Sequence, residues 1–379
     1  MSCYITLCVE EIGGGFTMKA ILKPLILLML CMVVIGGCAS NGSNGASTNS
    51  SQATSTSVAT IDETPQKQGD EAVIDLPPAE KKNIKLRLNW KFKGEFAPFY
   101  ITRELGIFEK YGIEVEILEG SGSVQVLQVI AQNNEDIGVT SAVEPLQGIE
   151  QGMPVKMIAN YMPRSPIIIL SYPDNPVHTP KDLEGKSIVS SSGSTFTSIY
   201  EKFLEFNDTD PHNVEHIMVE TGARNTLFFN KEADAVAVFS TNEYPLFEKN
   251  LGVELVPMYL ADFNFDIAGL SLISNDKFIE KNPNTIKRFL AAVNEGFAYT
   301  LENPEEAASI AKSLFPDTVD EEIVVDQINR TGELAYQEGK PYGWVDEESI
   351  STMADRLLES KLIKTKLPME SYLTNDFMP

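Results

Sequence analysis

From Ile84 to Trp90 apolar and polar residues alternate, Ile-Lys-Leu-Arg-Leu-Asn-Trp, which predicts a strand with one solvated face. Ala97 to Tyr111 then reads as a helix carrying Tyr100, Ile101, Leu105 and Phe108 on one side, stopped by Gly112, a natural left-handed terminator. Ile113–Leu118, Asp136–Thr140 and Val155–Ala159 read as strands, separated by helices over Val124–Ala131 and up to Gly152. The rhythm restarts after Tyr172. Lys186–Ser190, Val214–Val219, Ala235–Val238 and Val253–Val256 read as strands, and Ser194–Phe206 and Asn225–Asn230 as helices. After Ile267–Ile273 the pattern turns helical: Pro283–Leu301, Pro304–Phe315, Val319–Glu338 and Asp346–Ser360. Strands alternating with helices imply a mainly parallel sheet with covered faces. The expectation is two α/β lobes and a helical C-terminal half-shell.

Composition narrows the chemistry. Lys+Arg 30 against Asp+Glu 54 gives a net charge of −24. That balance disfavours nucleic acid, which needs a basic face to replace phosphate counterions, and electrostatic attachment to anionic lipid. All 4 cysteines, Cys3, Cys8, Cys31 and Cys38, precede the folded pattern. A disulfide framework, a Cys-ligated metal and a catalytic thiol in the body of the chain are thereby excluded. His212 and His216 are spaced as two ligands on a helix face would be, but Pro211 and the apolar run from His216 favour a loop and strand edge. No catalytic set, metal site or cofactor is expected.

The N-terminal pattern is an address. Lys19 and Lys23 precede an uncharged apolar run that ends in Ile35-Gly-Gly-Cys38. The run falls short of the about 20 residues that span a bilayer and has the layout of a secretory signal. Its end resembles the bacterial lipobox, so residues 1–37 read as a signal peptide and Cys38 as the lipidated first residue of the mature chain. Residues 1–17 hold Glu10 and Glu11 but no Lys or Arg, which places the expected translation start at Met18. Residues 38–82, rich in Ser, Asn, Gly and Thr at their start, bury too little to offset their ordering entropy and read as a tether.

Asn89-Trp90, Ala97-Pro-Phe-Tyr100, Gly106-Ile-Phe108 and Tyr111–Ile117 together resemble the opening of bacterial extracytoplasmic solute-binding proteins. The subfamily serves ABC importers of sulfonates, taurine, nitrate and thiamine pyrimidine precursors. Asp136–Thr140, Arg164-Ser-Pro166, Lys181–Lys186, Asp234-Ala-Val236 and the helix from Asn282 to Ala307 continue the match, which covers roughly residues 84–310. The resemblance implies a periplasmic-binding-protein-like α/β clamshell of type II, two lobes joined by a two-crossing hinge, with crossings near Ile168–Tyr172 and Ala268–Ile273. The expected division is 83–170 for lobe 1, 171–267 for lobe 2 and 268–379 for the return to lobe 1 with the C-terminal helices. It further implies a monomer that captures a small molecule and passes it to an ABC permease and its ATPase.

In open α/β sheets ligands sit outside the carboxyl ends of strands, where helix N-termini offer free N–H groups. Those strand ends give Asn89, Trp90, Glu95, Phe96, Ser121, Ser123, Thr140 and Ser141 in the first lobe. The second gives Ser191, Ser192, Gly193, Ser194, Thr195, Ser240, Thr241, Asn242 and Glu243, with Tyr161 and Arg164 as hinge-side candidates. An anion site needs positive charge or clustered donors, yet Lys91 and Lys93 stand beside Glu95, and the second-lobe loop holds Glu243. Aromatic walls with a carboxylate suit a planar nitrogen heterocycle, such as a thiamine pyrimidine precursor or a flavin-like vitamin. A sulfonate- or nitrate-type anion, a sensor lipoprotein and a thiamine-pyrimidine synthase are the alternatives. Such synthases carry a cysteine cluster and a histidine where this chain has Lys93-Gly-Glu95, which speaks against the enzyme.

Overall fold

The computed structural model describes residues 76–379; the expected signal, lipobox and most of the tether lie outside them. The first lobe opens with β1 (Asn83–Arg87), α1 (Ala97–Glu104), α2 (Ile107–Lys110), β2 (Glu114–Leu118), α3 (Ser123–Ala131), β3 (Ile137–Thr140), α4 (Val143–Glu150) and β4 (Val155–Asn160). The second contains β5 (Ile167–Ser171), β6 (Ser187–Ser191), α5 (Thr195–Phe206), β7 (Glu215–Val219), α6 (Thr221–Phe229), β8 (Ala235–Phe239), α7 (Glu243–Leu251) and β9 (Val256–Tyr259). The chain then returns through β10 (Ser271–Asn275) to α8 (Asp276–Lys281), α9 (Pro283–Glu302), α10 (Pro304–Leu314), α11 (Glu321–Ala335), α12 (Glu347–Glu359) and α13 (Met369–Tyr372).

Both sheets are 5-stranded and have the same plan: β2-β1-β3-β10-β4 and β7-β6-β8-β5-β9. In each, one strand runs against its neighbours: β10 is antiparallel to β3 and β4, and β5 to β8 and β9. Those two strands are the ones that enter from the other lobe. They start at the cleft, whereas their neighbours end there. The expectation of mainly parallel sheets therefore holds, with the strand that enters from the hinge as the one exception in each sheet, for a topological reason.

The hinge itself is displaced from its expected place. The first crossing occupies residues 161–166, and Ile168–Tyr172 belongs to the second lobe, where Ile167–Ser171 pair with Phe239–Ala235. Residues 167–171 are buried throughout, so they show no period that would mark a strand. The second crossing ends at Leu270, and Ser271–Ile273 are already in β10. The helix expected over Ala97–Tyr111 is two, because Gly106 adopts a left-handed φ of 68° between them.

Three apolar clusters hold the lobes. Ile84, Leu86, Phe99, Phe108, Phe289 and Phe297 are in the first, where α9 packs on α1 and α2. Ile168, Leu170, Val189, Phe228 and Phe247 form the second-lobe core. A third joins Val126 and Leu146 of the first lobe to Ile188 and Phe203 of the second and to Met353 of α12. No helix among the described residues is long and apolar enough to cross a membrane.

Candidate functional site

The strand ends of both lobes face each other across one partly open cavity, whose empty space, counting the part continuous with solvent, is about 480 Å³. On the first-lobe side the backbone at Gly120 leaves no room for a side chain, since a Cβ there would lie 2.0 Å from the Leu88 carbonyl oxygen. The loops after β1 and β2 are thus pressed together, and this places Asn89 and Trp90 at the rim. Asn89 Nδ2 donates to Ser123 Oγ at 3.1 Å, and the Ser141 amide donates to that same oxygen at 3.1 Å. The turn Gly94–Phe96 is held by α11, with Gly94 N donating to Gln327 Oε1 at 2.7 Å, and it points Glu95 into the cleft.

On the second-lobe side, Ser194 caps α5 by accepting from the Thr197 amide, and Thr195 lines the cavity with Phe196. Asn242 and Glu243 open α7. Arg224, buried in α6, donates from Nη2 to Glu243 Oε1 at 2.7 Å, with both side chains at most 5% exposed. Its guanidinium also stands 5.9 Å from the centroid of the Trp90 ring, so it faces the first lobe as well. Phe239, Val238, Ala237 and Ile167 give the apolar floor.

Of the residues expected at the site, the structure brings together Asn89, Trp90, Glu95, Ser123, Ser194, Thr195, Asn242 and Glu243. Others lie elsewhere. Phe96 is a core residue. Tyr161 stacks on Phe297 at 4.4 Å between centroids and is fully buried in the first-lobe core. Arg164 lines a separate hinge-side depression with Asp266, Asp346 and Arg356. Ser121 and Ser192 are exposed. Thr140 and Ser191 are buried behind the cavity, and Ser141 hydrogen-bonds Glu144 at 2.9 Å. Gly193 meets Gly122 across the cleft. Of the loop residues beside Asn242, Thr241 bonds Glu95 and Ser240 is buried; neither lines the cavity. The sequence reading missed Arg224, Gly122, Ile167 and Phe196, and it treated Glu243 as a carboxylate awaiting a ligand when its partner is Arg224.

The charges in the cavity nearly cancel. Burial, opposed by the Thr241 hydrogen bond and reinforced by the Glu243 charge, pushes Glu95 up to about 8, so it is mostly neutral at pH 7. Burial would also raise Glu243, but the charge and hydrogen bond of Arg224 outweigh it and hold Glu243 below its ordinary value. Arg224 and Glu243 therefore neutralise each other. What remains is hydrogen-bonding capacity. Asn89 Oδ1 and Asn242 Oδ1, one from each lobe, are buried acceptors without a partner in the protein, and such atoms cost about 1–3 kcal/mol each until they are satisfied.

His216 takes no part in the cavity: its Nε2 lies 2.7 Å from Ser190 Oγ, and burial brings it down to about 4. No group of His, Cys, Asp or Glu among the described residues could hold a metal ion.

Two α/β lobes of like topology, closing on an aromatic-walled and nearly neutral cavity at their strand ends, define a solute-binding clamshell of type II. The chain belongs to the NMT1/THI5-like family, whose model matches residues 93–307. It is 24% identical over 295 residues to the riboflavin-binding protein RibY of Chloroflexus aurantiacus, covering 75% of this chain and 83% of that protein. It is 22% identical over 234 residues to a 4-amino-5-hydroxymethyl-2-methylpyrimidine phosphate synthase of Legionella pneumophila, covering 60% of this chain and 72% of the synthase. Among solved structures, the alkanesulfonate-binding protein SsuA of Xanthomonas axonopodis superposes with a TM-score of 0.61 at 13% identity, over 78% of this chain and 99% of that one. The fold is that of substrate-binding proteins, and the relatives include both binding proteins and synthases.

Proposed function

We propose that this protein is a substrate-binding lipoprotein that captures a neutral, planar nitrogen heterocycle outside the cytoplasm and delivers it to an ABC permease and ATPase. The carrying observation is the pair of unpartnered acceptors, Asn89 Oδ1 and Asn242 Oδ1, in a cavity whose cation is already neutralised. A heterocycle with ring N–H or amino donors satisfies both acceptors while stacking on Trp90. An anion meets no free cation in the cavity lining. The names of a riboflavin-binding and a pyrimidine-synthesising relative are consistent with such a ligand.

Thermal-shift measurements with riboflavin, an aminopyrimidine and an alkanesulfonate separate the readings. A true ligand at 100 times its Kd adds about 2.7 kcal/mol of stability. Stabilisation by the sulfonate alone would replace this proposal with the anion reading, and turnover of the aminopyrimidine would replace it with an enzyme. For a heterocycle that binds, Trp90→Ala is expected to remove about 2–4 kcal/mol, summing the buried contact and the stacking. Titration calorimetry reads this as a thirty- to thousand-fold loss, at about 1.4 kcal/mol per decade. Unchanged affinity would move the ligand away from Trp90.

The same reading has the mature chain begin at Cys38 with a lipid, act as a monomer and stand off the membrane on its tether. Two acyl chains together hold a protein stably on a bilayer. Cys38→Ala is therefore expected to shift the protein from the membrane to the soluble fraction or to leave it unprocessed. Wild-type fractionation and mass in the variant would rule out lipidation.

A further inference from the structure

Two buried carboxyl groups of the first lobe reach across the cleft to hydroxyls of the second. Glu95 Oε2 is 2.7 Å from Thr241 Oγ1, and Glu95 Oε1 is 3.2 Å from Asn242 Nδ2. On the other flank of the cavity Glu144 Oε1, in α4, is 2.8 Å from Thr195 Oγ1 at the start of α5. Both glutamates are at most 2% exposed. Parting the lobes would break all three contacts and return both carboxyls to water. Neither has a cation bonded to it among the described residues. The charged groups facing Glu95 are Lys93 on its own loop and Glu243 on α7, with Glu243 tied to Arg224 of α6. Around Glu144 stand only the hydroxyls of Ser141 and Thr195 as hydrogen-bonding side chains.

We propose that closure of the clamshell takes up protons at Glu95 and Glu144, which latch the lobes as neutral carboxyls and let them part when ionised. A buried, uncompensated carboxylate is costly, and a neutral carboxyl can both donate and accept across the cleft. Burial raises both groups above their ordinary value, Glu95 to about 8, and outweighs the hydrogen bonds from Thr241, Asn242, Thr195 and Ser141, which by themselves would favour the ionised form. The sign follows. The proton binds more tightly to the closed form, so its contribution to closure is full below 4.5, the ordinary value, and is lost as pH rises through about 8. The inference concerns the two lobes and does not depend on the identity of the ligand.

The test needs no ligand. Trp90 sits in the cleft and Trp344 is the other of 2 tryptophans, so acrylamide quenching of Trp90 is followed on the full chain carrying Trp344→Phe. Salt of about 1 M screens surface charge beyond ~3 Å, leaving the buried groups. Between about pH 8.5 and pH 5 the quenching constant is expected to fall, with its midpoint between the open-cleft and closed-cleft values of Glu95. In the Glu95→Gln/Glu144→Gln background, neutral at every pH, it is expected to stay low throughout. Each single substitution should remove its own share of the change, which keeps the test available should the double variant not fold. A constant independent of pH in the parent, or a change that survives in the double variant with circular dichroism intact, overturns the proposal.

Discussion

Arg224→Ala is expected to lower the stability of the second lobe by about 3–5 kcal/mol, the usual cost of leaving one partner of a buried ion pair uncompensated. Arg224 and Glu243 are 4% and 5% exposed in their side chains and 2.7 Å apart. Removing the guanidinium leaves Glu243 in a site where burial alone pushes its carboxyl upward. The variant should answer by taking up a proton, so its deficit shrinks as the pH is lowered toward the raised value of Glu243. Arg224→Ala/Glu243→Gln should recover part of the loss, because no charge is then stranded. Denaturant melts of the three proteins across pH check this. A parent-like melting curve for Arg224→Ala would mean that water reaches Glu243 and that the pair is not sealed in the cavity. The same substitution removes the cation beside Trp90, worth about 0.5–1 kcal/mol where exposed.

The sequence showed the lobes more plainly than the hinge or the site. β1 and β2 face the core on one side only, with burial alternating along Asn83–Arg87 and into Glu114–Leu118, so their period was readable. β5 is buried on both faces, and a uniform run such as Ile167-Ile-Ile-Leu170 can be strand or crossing with equal ease. The site residues that were legible follow strand ends: Asn89, Trp90, Thr195, Asn242. Tyr161 follows a strand end too, but β4 lies at the sheet edge, and the ring turns into the first-lobe core against Phe297 of α9. Arg224 lies within α6, and its role depends on a carboxylate 19 positions away that only the fold brings near. One faint signal existed. It is the sole basic Lys or Arg between Lys202 and Lys231, on a helix next to an apolar strand. Glu144 was equally hidden, since its partner Thr195 belongs to the other lobe.

Gly122→Ala is expected to hold the clamshell open without unfolding either lobe, and so to cost ligand affinity far more than stability. A Cβ at Gly122 would sit 2.2 Å from the carbonyl oxygen of Gly193 and 2.8 Å from its carbonyl carbon. Both obstacles are backbone atoms, so no side-chain rotation relieves them. They belong to the opposite lobe, and the conflict vanishes when the lobes part. Gly122 also has a φ of 143° and a ψ of 154°, a region that is nearly glycine's alone and adds local strain of about 1–3 kcal/mol. With the cleft held open, a ligand keeps the first-lobe wall of Asn89 and Trp90 but loses Asn242, Thr195 and the second-lobe floor. Losing the Asn242 hydrogen bond and the apolar contacts of that floor together amounts to roughly 3–5 kcal/mol. Calorimetry should record this as a hundred- to several-thousand-fold weaker Kd, at about 1.4 kcal/mol per decade. Gly193→Ala makes the companion test. Its Cβ would meet the Ser121 carbonyl oxygen at 2.9 Å from the other side, without a left-handed φ at Gly193. The loss there should be smaller and the fold unstrained. Should both alanine variants bind as tightly as the parent, the liganded lobes do not approach as closely as Gly122 and Gly193 do in this structure, and the ligand is held by one lobe.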